Sequence, residues 1–222
     1  MNRIVDGRST LSTVEGSDRT HVITNNPADL NAILRPDVNL CLWRRPMTRE
    51  ISDELLALDA DHLPDVRSSS SPSTFDEDVC KLLERCDLQP ERFRAWRADL
   101  HRVAQLYFPL RGGRDVTLRL ETLNTDGCRR FHTDRTNLRL LCTYRGPGTE
   151  WLTEAQVDRD AECANAGNEA ILRNGEPSQL RPFWVGILKG TAFPGNASQG
   201  VVHRSPQLEH PGQVRVLFCL DS

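Results

Sequence analysis

VGILKGTAFPGNASQGVVHRSPQLEHPGQVRVLFCLD, residues 185–221, is the stretch on which the reading of the fold turns. Its apolar segments VGILKG, GVVH and VRVLFCL have the length and β-branched character of strands, and Gly, Pro and Asn turns separate them. The same texture begins further back, in DVTLRLETL (115–123) and NLRLLCTY (137–144). The segments follow one another through turns, which predicts an antiparallel β-structure over residues 112–222.

The N-terminal half reads differently. Residues 1–20 are polar and aperiodic, the pattern of a flexible tail. Residues 21–111 read as mainly helical, with VNLCLW (38–43) as one short strand. TREISDELLALDA (48–60) places Ile51, Leu55 and Leu58 on one helical face, and RSSSSPSTF (67–75) reads as a flexible loop. Thr74 and Glu77 have the spacing of a capping box, ahead of a helix with Phe75, Val79, Leu82 and Cys86 in a stripe. After Pro90, Phe93, Trp96, Leu100, Val103 and Tyr107 recur at helical spacing, a seam that must pack against something large. Residues 157–179 read as a connection with a short helix or lid. The expected class is α+β, one integrated domain with helices against a β-core.

Composition narrows the function. With 28 Lys and Arg against 31 Asp and Glu, the net charge is −3 with both signs interspersed, so no global field selects nucleic acid or an anionic membrane. No apolar run reaches the roughly 20 residues of a membrane span, and the N-terminus lacks the apolar core of a secretory signal, so the expected location is cytoplasmic. Seven cysteines without a paired spacing point to neither a disulfide framework nor a zinc ribbon.

The chemistry concentrates in CRRFHTD (128–134). His132 and Asp134 lie two apart, so on an extended segment both side chains leave the same face, the arrangement a shared metal needs. His203, at the end of GVVH, would complete a two-histidine, one-carboxylate facial triad, which leaves positions open on Fe(II). Arg215 follows twelve residues later on the last strand. A guanidinium beside a cation calls for an anion between them. 2-Oxoglutarate would fit, its oxo-acid end on the metal and its far carboxylate on the arginine. Cys128 opens a second reading, a closed zinc site of Cys128, His132, Asp134 and His203 in a protein that is not an enzyme. Tyr144, Glu150 and Trp151, at the ends of YRGPGTEW, are candidates for the substrate mouth. Lys189 is a further site candidate, with a snorkelling surface position as the alternative. Arg119 and Arg139 alternate with apolar neighbours and read as outward-facing. No nucleophile elbow, P-loop or dinucleotide fingerprint is present.

The tail 185–221 resembles the C-terminal half of the double-stranded β-helix of Fe(II)/2-oxoglutarate dioxygenases. The shared features are a Gly-containing turn, a metal-binding His, and an Arg ten to twelve positions later. FHTD, RLLCTYRGPGTEWL, LKG, PGN and VHRSP resemble the bacterial family known as domain of unknown function 1826, over about residues 38–221. The dioxygenase resemblance implies a cupin-like jelly roll over 112–221, with His132, Asp134 and His203 as metal ligands and Arg215 as co-substrate anchor. It also implies an oxygenase acting on a small-molecule or protein substrate. Leu217 stands where dioxygenases often carry Ser or Thr. The resemblance to family 1826 implies a role in zinc homeostasis and association with a metallochaperone GTPase.

Overall fold

The computed structural model describes residues 20–124, 127–208, 210 and 212–222; the tail expected over 1–20 lies almost wholly outside them. In chain order the strands and helices are β1 (Thr20–Thr24), β2 (Val38–Trp43), α1 (Arg49–Leu55), β3 (Val66–Ser70), α2 (Phe75–Arg85), α3 (Arg94–Tyr107), β4 (Val116–Leu123), β5 (Leu138–Arg145), β6 (Glu150–Trp151), α4 (Arg159–Cys163), α5 (Asn168–Ile171), β7 (Ser178–Gln179), β8 (Val185–Lys189), β9 (His203–Arg204) and β10 (Arg215–Asp221). Seven strands form one sheet in the order β1-β2-β8-β5-β10-β4-β3, and β7-β6-β9 form a smaller one.

Strand parity organises the layers. On β5, Leu138, Leu140, Cys142 and Tyr144 face α2 and α3, while Arg139 and Leu141 face the other way. β10 alternates likewise: Val216, Phe218 and Leu220 join the core under the helices, and Arg215, Leu217 and Cys219 line the opposite face. The α3 seam supplies Trp96, Leu100, Val103 and Tyr107 to that core, all fully buried. Burial of a side chain of this size contributes roughly 1.5–3 kcal/mol. Tyr107 also ties the helix to the sheet, its hydroxyl donating to Leu138 O at 2.7 Å. On the other face, Leu40, Leu42, Leu141, Leu188 and Leu217 meet Trp151, Leu180 and Val201 from the smaller sheet and its connections. The outcome is a mixed α/β architecture: helices, a large sheet, then a small sheet, with a second apolar seam between the sheets.

Residues 21–111 do carry helices that pack on the sheet, but they are not only helical with one short strand, because β1, β2 and β3 all belong to it. The most instructive case is the serine-rich segment expected as a loop. Its first part, 67–70, lies in β3, an edge strand paired antiparallel with β4 from Val66↔Leu120 to Ser70↔Val116, and 71–74 is a turn leading into α2. An edge strand with one face in solvent needs little apolar patterning, so its composition hides it. At Thr74 the helix begins as expected, but the Thr74 hydroxyl donates to Asp78 Oδ2 at 2.7 Å and makes no cap to a backbone N–H. No helix among the described residues is long and apolar enough to cross a membrane.

Candidate functional site

His132 and His203 lie opposite each other in an isolated antiparallel bridge, closed by two backbone hydrogen bonds of 3.0 Å. β9, carrying His203, also pairs with β6, so the small sheet fixes the position of this histidine, and the bridge fixes that of His132. The ring centroids are 4.7 Å apart. Asp134 completes the group: ligand atoms of His132, Asp134 and His203 all lie within 4.8 Å of one another. The turn bearing Asp134 is clamped from β8. Gly190 N donates to Asn137 O, Thr191 N donates to Asp134 O, and a Cβ on Gly190 would fall 2.2 Å from Thr136 O. Only glycine permits that approach.

Proton placement in the group follows from the acceptors around it. His132 Nδ1 lies 2.8 Å from Arg130 O, and His203 Nδ1 lies 3.0 Å from Val201 O. A carbonyl can only accept, so both Nδ1 atoms carry the proton. In the neutral rings each Nε2 then presents a lone pair towards Asp134, at 3.8 Å from Oδ1 for His132 and 3.2 Å from Oδ2 for His203. Lone pairs facing a carboxylate at that distance repel unless a proton or a metal cation sits between them. This backbone-anchored arrangement is how metal-binding histidines are oriented. Burial, then the repulsion between the two imidazoles were both to be protonated, pushes the pKa of His132 down, which favours its neutral, metal-binding form. Burial alone would raise the pKa of Asp134, but His203 and Arg139 outweigh it and hold the carboxylate ionised well below its usual range. Arg139 Nη1 is 2.7 Å from Asp134 Oδ2 with its N–H bonds aimed elsewhere, so the contact is an ion pair without a hydrogen bond.

The two histidines open into a cleft of about 250 Å³ between the sheets. At its wall lies Arg215, 1 % exposed. Its Nε donates to Pro147 O at 2.8 Å, while its Nη1 has no hydrogen-bond partner, and no carboxylate among the described residues pairs with it. Desolvation pushes its pKa down to about 10. The turn 146–149 builds the platform beneath this guanidinium. Gly146, at φ +80°, lies so close that a Cβ would fall 2.9 Å from Arg215 Cγ, and Thr149 lines the same cleft. A metal donor set and an uncompensated buried cation therefore share one cavity. That fits an anionic chelate reaching from one to the other.

Comparison with known proteins gives a family and a fold. The profile of the family described as "Protein of unknown function (DUF1826)" matches residues 24–221. The chain belongs to the DUF1826 family. No curated protein matches it. Among solved structures, the DUF1826 chain is similar to dioxygenase for auxin oxidation 1 from Arabidopsis thaliana in its binary complex with 2-oxoglutarate, at 11% identity over 90% of this chain and 91% of that one, TM-score 0.52. The rice dioxygenase for auxin oxidation matches at 17% identity over 88% of this chain and 76% of that one, TM-score 0.48. A Pseudomonas putida prolyl-4-hydroxylase matches at 13% identity over 80% and 95%, TM-score 0.37. The Arabidopsis likeness shows a shared jelly-roll fold.

The other residues singled out from the DUF1826 sequence fall in several places. Cys128 is exposed and lines the cleft, but its thiol is not part of the three-residue group. Tyr144 is not at a substrate mouth. It faces the helices, edge-on to Trp96 and Phe183, with its hydroxyl donating to Asp99 Oδ2 at 2.7 Å. Trp151 is buried between the sheets, edge-on to His21, and does not line the cleft. Glu150 stays near the site by accepting from Arg204 Nε at 2.6 Å, and Arg204 lines the cleft. Lys189 neither snorkels nor reaches the site. It is 2 % exposed, donates to Arg35 O at 2.6 Å and lies 4.4 Å from the Phe193 ring. Arg119 and Arg139, read as outward-facing, line the cleft instead, paired with Glu121 and with Asp134 and Asp221. Their shared parity with Arg215 across paired strands was the signal in the sequence.

Proposed function

We propose that this DUF1826 protein is an Fe(II)- and 2-oxoglutarate-dependent oxygenase, with His132, Asp134 and His203 holding the metal and Arg215 holding the far carboxylate of the co-substrate. The observation that carries the reading is the pairing, in one cleft, of two Nδ1-anchored histidines converging on Asp134 with a buried guanidinium that lacks a counter-charge. When bound, Fe(II) would supply the activation of O2, the oxidant, with 2-oxoglutarate as the electron-donating co-substrate, for attack on an unactivated C–H bond.

The chain's own residues orient and insulate that chemistry. Arg130 O and Val201 O hold the imidazoles in the tautomer that directs Nε2 into the cleft. Arg139, locked between Asp134 and Asp221, keeps the ligating carboxylate ionised and aimed. Pro147 O anchors the guanidinium of Arg215 through Nε and leaves Nη1 without a partner, available for a bidentate pair with a carboxylate. Leu141 and Leu217 give apolar walls that exclude water from it. The hydroxyl absent at position 217 has a counterpart in Thr149, on the same cleft.

The zinc-binding alternative requires Cys128 in the coordination shell. Titration of the metal-free chain with Co(II) separates the two. Visible ligand-field bands that vanish in His132→Ala and His203→Ala but persist in Cys128→Ala support the open triad. A near-ultraviolet thiolate-to-cobalt band that is lost in Cys128→Ala would overturn it.

A further inference from the structure

His132 and Cys128 line two cavities, the cleft that reaches Arg215 and an outer one that opens between the 127–135 segment and α4. The outer cavity, of about 570 Å³, is in the size range of small-molecule sites. Among the described residues, Arg130 and Arg135 line it with a single carboxylate, Glu162, which already accepts from Thr133 Oγ1 at 2.9 Å and stands 3.9 Å from Arg159. In the inner cleft Arg67, Arg119, Arg139 and Arg204 are each matched to a carboxylate, which among the described residues leaves Arg215 for a ligand.

Arg130 is held in place without being neutralised. Its Nη1 and Nη2 donate to the backbone oxygen and the side-chain Oδ1 of Asn165, at 3.2 and 2.9 Å. Asn165 adopts the left-handed conformation (φ 56°). Asn168 straps the adjoining backbone, accepting from Phe131 N and donating to Arg129 O. Amide acceptors orient a guanidinium and leave its full charge for a ligand, which is how an anion site is preorganised.

We infer that the substrate is itself a small anion, carrying a phosphate or carboxylate group that Arg130 and Arg135 bind in the outer cavity while its other end lies against His132. This rests on the oxygenase reading for the word substrate, and on the outer cavity alone for the anion.

Cys163 lines the outer cavity only and is exposed, so its alkylation reports on occupancy without iron or turnover. The metal-free chain is treated with the neutral reagent iodoacetamide, with inorganic phosphate or acetate at constant pH and ionic strength, and alkylation is mapped by mass spectrometry. The expected result is a slowing at Cys163 of about tenfold once the anion reaches about ten times its Kd. The more protective anion names the group. The protection disappears in the Arg130→Gln/Arg135→Gln double variant, while Cys80 on α2 and Cys86 just after it, which line neither cavity, keep their rates and certify folding. Unchanged Cys163 alkylation with both anions overturns the inference, as does equal protection in the double variant. Adding Fe(II) and 2-oxoglutarate anaerobically keeps the two readings apart. A charge-transfer band without Cys163 protection overturns the anionic substrate alone. Protection without a band overturns the oxygenase assignment and leaves an anion-binding cleft.

Discussion

Replacement of Arg215 by Met is expected to stabilise the metal-free protein while removing its response to 2-oxoglutarate. Burial lowers the pKa of this guanidinium from 12.5 to about 10. At about 1.36 kcal/mol per tenfold change in proton affinity, that is roughly 3 kcal/mol of unfavourable charge burial. The sign follows from the depressed value: below pH 10 the folded chain carries the buried charge and the full cost, which fades only as pH rises from 10 towards 12.5. Met keeps an unbranched stem of similar length and gives up the hydrogen bond to Pro147 O, at a cost of about 1 kcal/mol. The balance is a gain of about 2 kcal/mol at neutral pH, or roughly 4–8 °C in Tm for a chain of this size. Urea denaturation in the presence of a chelator reads the first effect. Thermal shift with Mn(II), with and without 2-oxoglutarate, reads the second. A loss of stability beyond about 1 kcal/mol in Arg215→Met would refute the reasoning, since it would mean that the guanidinium is satisfied within the fold.

Two further outcomes follow from residues outside the metal group. Asp99→Ala strands the buried Arg45, which makes bidentate bonds of 2.6 and 2.7 Å to Asp99, and also removes the acceptor of the Tyr144 hydroxyl. Unfolding measurements should show a loss of about 3–5 kcal/mol. Gly190→Ala pushes on Thr136 O and Asp134 O and displaces the turn that presents Asp134, so Co(II) affinity should fall about 10–100-fold, as measured by competition with a chelator.

The metal group was legible because its signals are local and chemical. His132 and Asp134 sit at a two-residue spacing, and His203 closes the apolar run GVVH behind a glycine-rich turn. Facing was harder to read. On β5 both faces are apolar, Leu140 towards the helices and Leu141 towards the cleft, so alternation alone does not say which way Tyr144 and Arg139 point. Arg215 supplies the missing reference, and once it is placed in the cleft, parity carries Arg119 and Arg139 there and sends Tyr144 to the core. β3 lay beyond pattern reading for a different reason: its pairing partner, β4, comes more than forty residues later, and serines on an edge carry no period. The placement of Lys189 is tertiary as well, depending on a carbonyl 154 residues away in sequence.

The most direct test of the account is the visible absorption of the anaerobic protein loaded with Fe(II) and then with 2-oxoglutarate. The expected result is a metal-to-ligand charge-transfer band that needs both additions, is abolished in His203→Ala, and requires much higher 2-oxoglutarate in Arg215→Met. A protein that holds Fe(II) stoichiometrically through His132, Asp134 and His203 and still shows no such band at saturating 2-oxoglutarate would contradict it.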